Sequence, residues 1–112
     1  MAASTQSESM TEPEITRLDT LEKTPHAEVF DHNVPRTIRL KIDAGQQMPP
    51  HRHPGTNIVL HLLSGELDLI LDEDTYALAP GDLIRFSGER EISPYAIEDS
   101  VAVVVFAPLE GE

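Results

Sequence analysis

His51 and His53, two histidines separated by a single arginine, are the residues whose types and spacing best suit chemistry in this chain. On an extended strand the side chains at i and i+2 point to the same side, so the pair would aim two imidazoles into one space. Neutral imidazole binds zinc, iron, copper, nickel and manganese without an anionic neighbour, which makes the pair half of a divalent transition-metal site. Metal sites usually need three or more protein ligands. His61, in the run Ile58-Val59-Leu60-His61-Leu62-Leu63, is the first further candidate. A regular strand puts His61 on the face of Asn57 and Leu63, opposite Ile58, and only a bulge would turn it towards the pair. Asn57, Glu89 and Glu91 are weaker candidates.

Other chemistries find less support. Arg85 and Tyr95 offer an anion contact, but Arg85 alternates with Ile84 and Phe86 and is expected to face solvent. Asp72-Glu73-Asp74 reads as a solvated hairpin loop, because no EF-hand spacing follows it. His26 and His32 flank a short strand candidate, Ala27 to Asp31, and are expected at the surface. No G-x-S-x-G nucleophile elbow and no glycine-rich phosphate loop occurs. The chain has no cysteine, which removes disulfides, thiolate metal sites and cysteine nucleophiles.

The elements that must position the histidines read as strands. Arg36 to Asp43 alternates strictly, with Ile38, Leu40 and Ile42 on one face and Arg39 and Lys41 on the other. Met48-Pro49-Pro50 gives an extended turn before His51. Asn57 to Leu63, Glu66 to Leu71, Thr75 to Ala79, Leu83 to Phe86 and Val101 to Ala107 follow as strands, separated by Ser64-Gly65, Asp72-Glu73-Asp74 and Pro80-Gly81-Asp82. Ser87 to Pro94 reads as irregular. Leu18 to Glu22 offers one helical turn at most. Short strands at short intervals indicate an all-β sandwich or barrel. Residues 1–14 are rich in Ser, Thr and Glu and are expected to be a disordered tail, with a single domain over 15–112. Val101 to Ala107 is apolar on both faces, which calls for a second layer over its outer side. A symmetric homodimer would supply it, with Val104 or Val105 near its core and His61 beside it.

The segment Gly45 to Gly65 resembles the first motif of the cupin superfamily: Gly, five residues, His-x-His, a Glu, then Gly. The match lies on Gly45, His51, His53 and Gly65. Gly65-Glu66-Leu67 and Pro80-Gly81-Asp82 are also similar to cupin turns. The resemblance covers about Ile38 to Phe106 and implies a cupin-type double-stranded β-helix, a jelly-roll barrel, with the histidine pair facing its interior. It also shows departures. The position of the cupin Glu ligand falls on Ile58 or, with shorter spacing, Asn57. Counting from Gly81 through the second motif puts Ser87, Glu89, Ile92 and Ala96 where that motif carries Pro, Gly, the His ligand and Asn. Two isoleucines in place of two ligands would make half of the cavity dry.

Two functions follow as expectations. One is a ligand-binding or regulatory pocket for a small molecule, with His51 and His53 as its polar groups. The other is a metal-dependent cupin enzyme, of dioxygenase or isomerase type, with His51 and His53 as ligands and His61 a further candidate. Twenty acidic residues against eight basic ones give a net charge of −12, which disfavours nucleic acid and anionic membranes as partners. No apolar run approaches the roughly 18 residues that span a bilayer, and Met1 to Pro13 lacks the basic and apolar regions of a secretory signal. The expected location is the cytoplasm. With Lys23 and Lys41 its only lysines, the acidic surface looks like that of a salt-adapted protein. Salt near 1 M shortens the Debye length to about 3 Å and relieves the self-repulsion. The melting temperature should therefore rise strongly between low salt and molar potassium chloride; a flat melting temperature would leave the charge as a solubility feature alone.

Overall fold

Alternating side chains decide what faces the interior. The computed structural model describes residues 12–109. Eight strands follow in chain order: β1 (His26–Glu28), β2 (Arg36–Ile42), β3 (Thr56–Ser64), β4 (Leu67–Leu71), β5 (Asp74–Leu78), β6 (Leu83–Ser87), β7 (Ile92–Ala96) and β8 (Ser100–Pro108). They form two antiparallel sheets, β1-β2-β8-β3-β6 and β5-β4-β7. The only helical element among the described residues is a 3-10 turn at Leu18–Thr20, within the expected Leu18 to Glu22. The expected tail over residues 1–14 falls mostly outside the described residues; within it, Glu14 accepts a hydrogen bond from the Asp31 amide at 2.7 Å.

The sheets face each other with their aliphatic sides. Ile38, Leu40, Ile58, Leu60, Val104 and Phe106 come from the larger sheet, and Leu67, Leu69, Leu71 and Ile92 from the smaller. In antiparallel pairs, side chains opposite each other share a face. Three inner rows of the larger sheet follow from the register: Arg36–Phe106–Ile58–Phe86, then Glu28–Ile38–Val104–Leu60–Ile84, then His26–Leu40–Ala102–Leu62. Gly65, at φ +92°, makes the turn into β4, and a Cβ there would run into the Asp99 carbonyl and Ser100.

One expectation is corrected. Ile92–Ala96 is a strand rather than irregular chain, with Ile92, Ser93, Pro94 and Ala96 buried. Arg39 lies on the outer face of β2 as expected, and it is buried there, because chain preceding β1 lies over it. Its guanidinium donates to the carbonyls of Leu18 at 3.3 Å and Lys23 at 2.8 Å, while the buried Nε has no partner. On β8, Ala102, Val104 and Phe106 are buried in the core, whereas Val101, Val103 and Val105 on the other face are only half-buried. They lie beside Val59 and His61 of β3; of the two residues named for the core of a homodimer, Val104 faces the interior of the barrel and only Val105 is on this outer face.

Core and surface leucines should differ sharply. Leu69, 0% exposed, should cost about 2–5 kcal/mol when truncated to Ala, because the cavity left behind adds to the lost transfer energy. Leu83, 63% exposed, should cost no more than about 0.5 kcal/mol. Urea unfolding of the two variants checks this, and equal losses would contradict the burial of β4.

Candidate functional site

Where the two sheets part, they leave a cavity of about 240 Å³. Ile38, Leu40, Ile58, Leu60, Phe86 and Val104 from the larger sheet, with Phe106, form one wall; Met48, Ile92 and Pro94 close the other side. Its polar groups are His26, Arg36, His51 and His53.

Backbone pairing fixes the histidine pair. Residues 45–51 run antiparallel beside β7 and extend the smaller sheet. Gly45 donates to the Ala96 carbonyl at 2.7 Å, and Met48 to that of Pro94 at 2.9 Å. His51 and Ile92 exchange two hydrogen bonds, at 3.1 and 2.7 Å. His53 donates to the Gly88 carbonyl at 2.9 Å, and Gly88 in turn donates to that of Thr56 at 2.9 Å. A Cβ at position 88 would collide with the His53 carbonyl and Thr56 Oγ1, so glycine is required by close approach. This glycine stands one residue before the place where the second-motif count looks for one. The Pro49 carbonyl lies 3.1 Å from His51 Nδ1, which puts a proton on Nδ1 and leaves Nε2 as the acceptor. The two rings meet edge to face with centroids 4.7 Å apart, and His53 packs on Phe106 at the same spacing.

His26 is the residue that the sequence reading missed. It was expected at the surface with His32. Both are exposed, His32 lying 3.0 Å from Glu14, but β1 pairs His26 with Leu40 and so places it at the cavity rim as well. Arg36 lies over the Phe106 ring, 5.0 Å from its centroid, and pairs with Glu28 at 2.7 Å. Burial, then the positive charge of His51, Arg36 and His26, holds the His53 pKa below its ordinary value. Burial also lowers His26, with His51 and Arg36 adding to the effect and Glu28 opposing it.

The remaining sequence candidates lie elsewhere. His61 alternates with the buried Leu60 and Leu62, and its partners are Leu83 and Val103 on the outer face. The register of β3 does shift, but between Leu62 and Ser64, beyond His61. Glu89 accepts from the Gly55 amide at 3.0 Å, Glu91 and Arg85 are exposed, and neither Asn57 nor Tyr95 lines the cavity. Asp72 and Asp74 of the hairpin pair with Arg90, each at 2.8 Å. Ile58 and Ile92, at the positions of the two missing ligands, both line the cavity. A resident metal does not fit this donor set: no carboxylate lines the cavity, and no group of three or more His, Cys, Asp or Glu among the described residues could hold an ion.

Comparison with known proteins supports the fold. The family model for the cupin domain matches residues 38–107. KdgF from Halomonas sp. superposes with a TM-score of 0.75 at 18% identity, covering 89% of this chain and 97% of that one. A Klebsiella pneumoniae protein described as having a double-stranded β-helix domain gives 0.76 at 20% identity, covering 87% and 91%. A predicted oxalate decarboxylase from Thermotoga maritima gives 0.73 at 18% identity, covering 86% and 100%. No curated protein matches the chain in sequence.

The depressed histidines give a pH signature. The unfolded chain binds these protons near pH 6.5, and folded His26 and His53 bind them only at lower pH. Between the two values the unfolded state holds more protons, so stability falls as pH falls below about 6.5 and is unaffected by them above it. Imidazole NMR titration should give both midpoints below 6.5; midpoints at or above it would contradict the environment described.

Proposed function

This chain belongs to the cupin family, and we propose that it is a ligand-binding member whose cavity takes a small organic molecule rather than a catalytic metal. The observation that carries this reading is the pair of isoleucines. Ile58 and Ile92 occupy the positions where the cupin motifs put two of the ligands, and both turn their side chains to the cavity. Two imidazoles without a carboxylate bind a divalent ion weakly, whereas an apolar wall with a few convergent polar groups is the usual make-up of a small-molecule pocket. In this role His51 and His53 orient a ligand. Ring Nε2 of His51 accepts or donates according to its protonation state, while the aliphatic wall supplies most of the binding energy.

The alternative, a metal-dependent cupin enzyme, draws on the same His51 and His53 with His26 on the shared cavity. Metal analysis separates the two. Protein exposed to nickel, manganese, iron and zinc in turn, then dialysed, should retain far less than one ion per chain. One ion per chain in the unmodified protein, lost in a His51→Ala/His53→Ala double variant, would overturn the ligand-binding reading.

A further inference from the structure

We propose that the molecule held in this cavity is a small carboxylate with a compact apolar body, its anionic head at the mouth beside Arg36. The proposal rests on the ligand-binding reading above and adds the chemical class of the ligand.

The charge pattern is the first support. The chain carries twenty acidic residues and a net charge of −12, yet none of the fourteen residues lining the cavity is acidic. Every ionisable group there is a nitrogen base: His26, Arg36, His51 and His53. The Arg36 guanidinium is a cation, which disfavours an organic cation as ligand, and a neutral ligand would offer no anionic acceptor to the donors that Glu28 leaves open.

Position is the second. Arg36, whose side chain is 40% exposed, borders with His53 and Phe106 both the cavity and a surface groove lined by Asn33, Thr56 and Pro108, so these residues stand where the cavity meets the surface. Further in, the lining is aliphatic and aromatic: Ile38, Leu40, Ile58 and Leu60 with Phe86. Polar groups at the mouth and an apolar interior suit a ligand with one charged end. Its body gains from burial, while its head keeps part of its hydration and avoids the cost of an isolated buried charge.

The state of Arg36 is the third. The guanidinium carbon lies over the Phe106 ring, 5.0 Å from its centroid, and Glu28 Oε2 accepts from its Nε at 2.9 Å and lies 2.7 Å from its Nη2. A guanidinium has five N–H donors, so Nη1 and the second Nη2 proton stay available to a carboxylate. The Glu28 side chain is 52% exposed, so this pair is solvent-screened and an incoming carboxylate competes with it at low cost. Glu28 thus orients Arg36 and weakens its pull on an anion at the same time.

The test uses hexanoate, hexanamide and hexylamine as probes of one body with three heads, titrated into the full chain by calorimetry at 0.15 M salt and pH 7.5. Hexanoate should bind at least about tenfold tighter than hexanamide, as expected for hydrogen bonds to a charged group, and hexylamine should bind weakest. Arg36→Gln should make hexanoate and hexanamide equal. Glu28→Gln, at an exposed position, should tighten hexanoate severalfold and leave hexanamide unchanged. That readout stands even where Arg36→Gln fails to fold. Hexanamide or hexylamine binding as tightly as hexanoate would overturn the carboxylate class while leaving the ligand-binding reading in place. Binding of none of the three would overturn both.

Discussion

The paired hydrogen bonds between His51 and Ile92 are the constraint on which the site depends. They lock the segment after β2 onto the edge of the smaller sheet and set one imidazole and one isoleucine side by side on the cavity wall. The His53–Gly88–Thr56 ladder then ties the next residues to the start of β3, in the larger sheet. Between these two anchors His53 has little choice of position: its backbone is held on one side, and its ring rests on Phe106 on the other. A cavity whose polar groups are held this way needs no bound ion to organise them.

The larger sheet contributes through register. With β8 between β2 and β3, cross-strand pairing sets Arg36, Phe106, Ile58 and Phe86 in one inner row. Arg36 is the end of that row, where the interior meets solvent, and this is why the strand that begins with a cation also delivers it to the mouth. The next row ends on Glu28, which explains the ion pair. The third ends on His26. One sheet edge thus supplies the permanent cation, its counter-charge and a histidine, while the centre of the same sheet supplies the apolar wall.

Much of this was legible in the sequence and some was not. The alternation of Arg36 to Asp43 and of Glu66 to Leu71 shows directly which side chains face inward. The turns at Gly65 and Gly81 bound the strands where they were expected. β7 escaped because Ile92-Ser93-Pro94-Tyr95-Ala96 has no alternation and carries a proline, which normally argues against a paired strand. Here Pro94 offers its carbonyl to Met48, and the missing N–H costs nothing visible in the pairing. His26 escaped for a different reason. Its strand has three residues, and its place is set by pairing with Leu40, fourteen positions away, which no local pattern reveals. The burial of Arg39 likewise rests on a long-range fact, the chain that crosses the outer face of β2.

The account stands or falls on Ile58 and Ile92 being walls of an occupied cavity. Intermolecular NOEs to isoleucine δ1 methyls, recorded on selectively labelled protein with hexanoate, test this directly. The account predicts contacts from the hexanoate chain to Ile38, Ile58 and Ile92, and none to Ile15 or Ile97, which are exposed on the surface. Hexanoate contacts confined to surface isoleucines, with Ile58 and Ile92 silent, would contradict it.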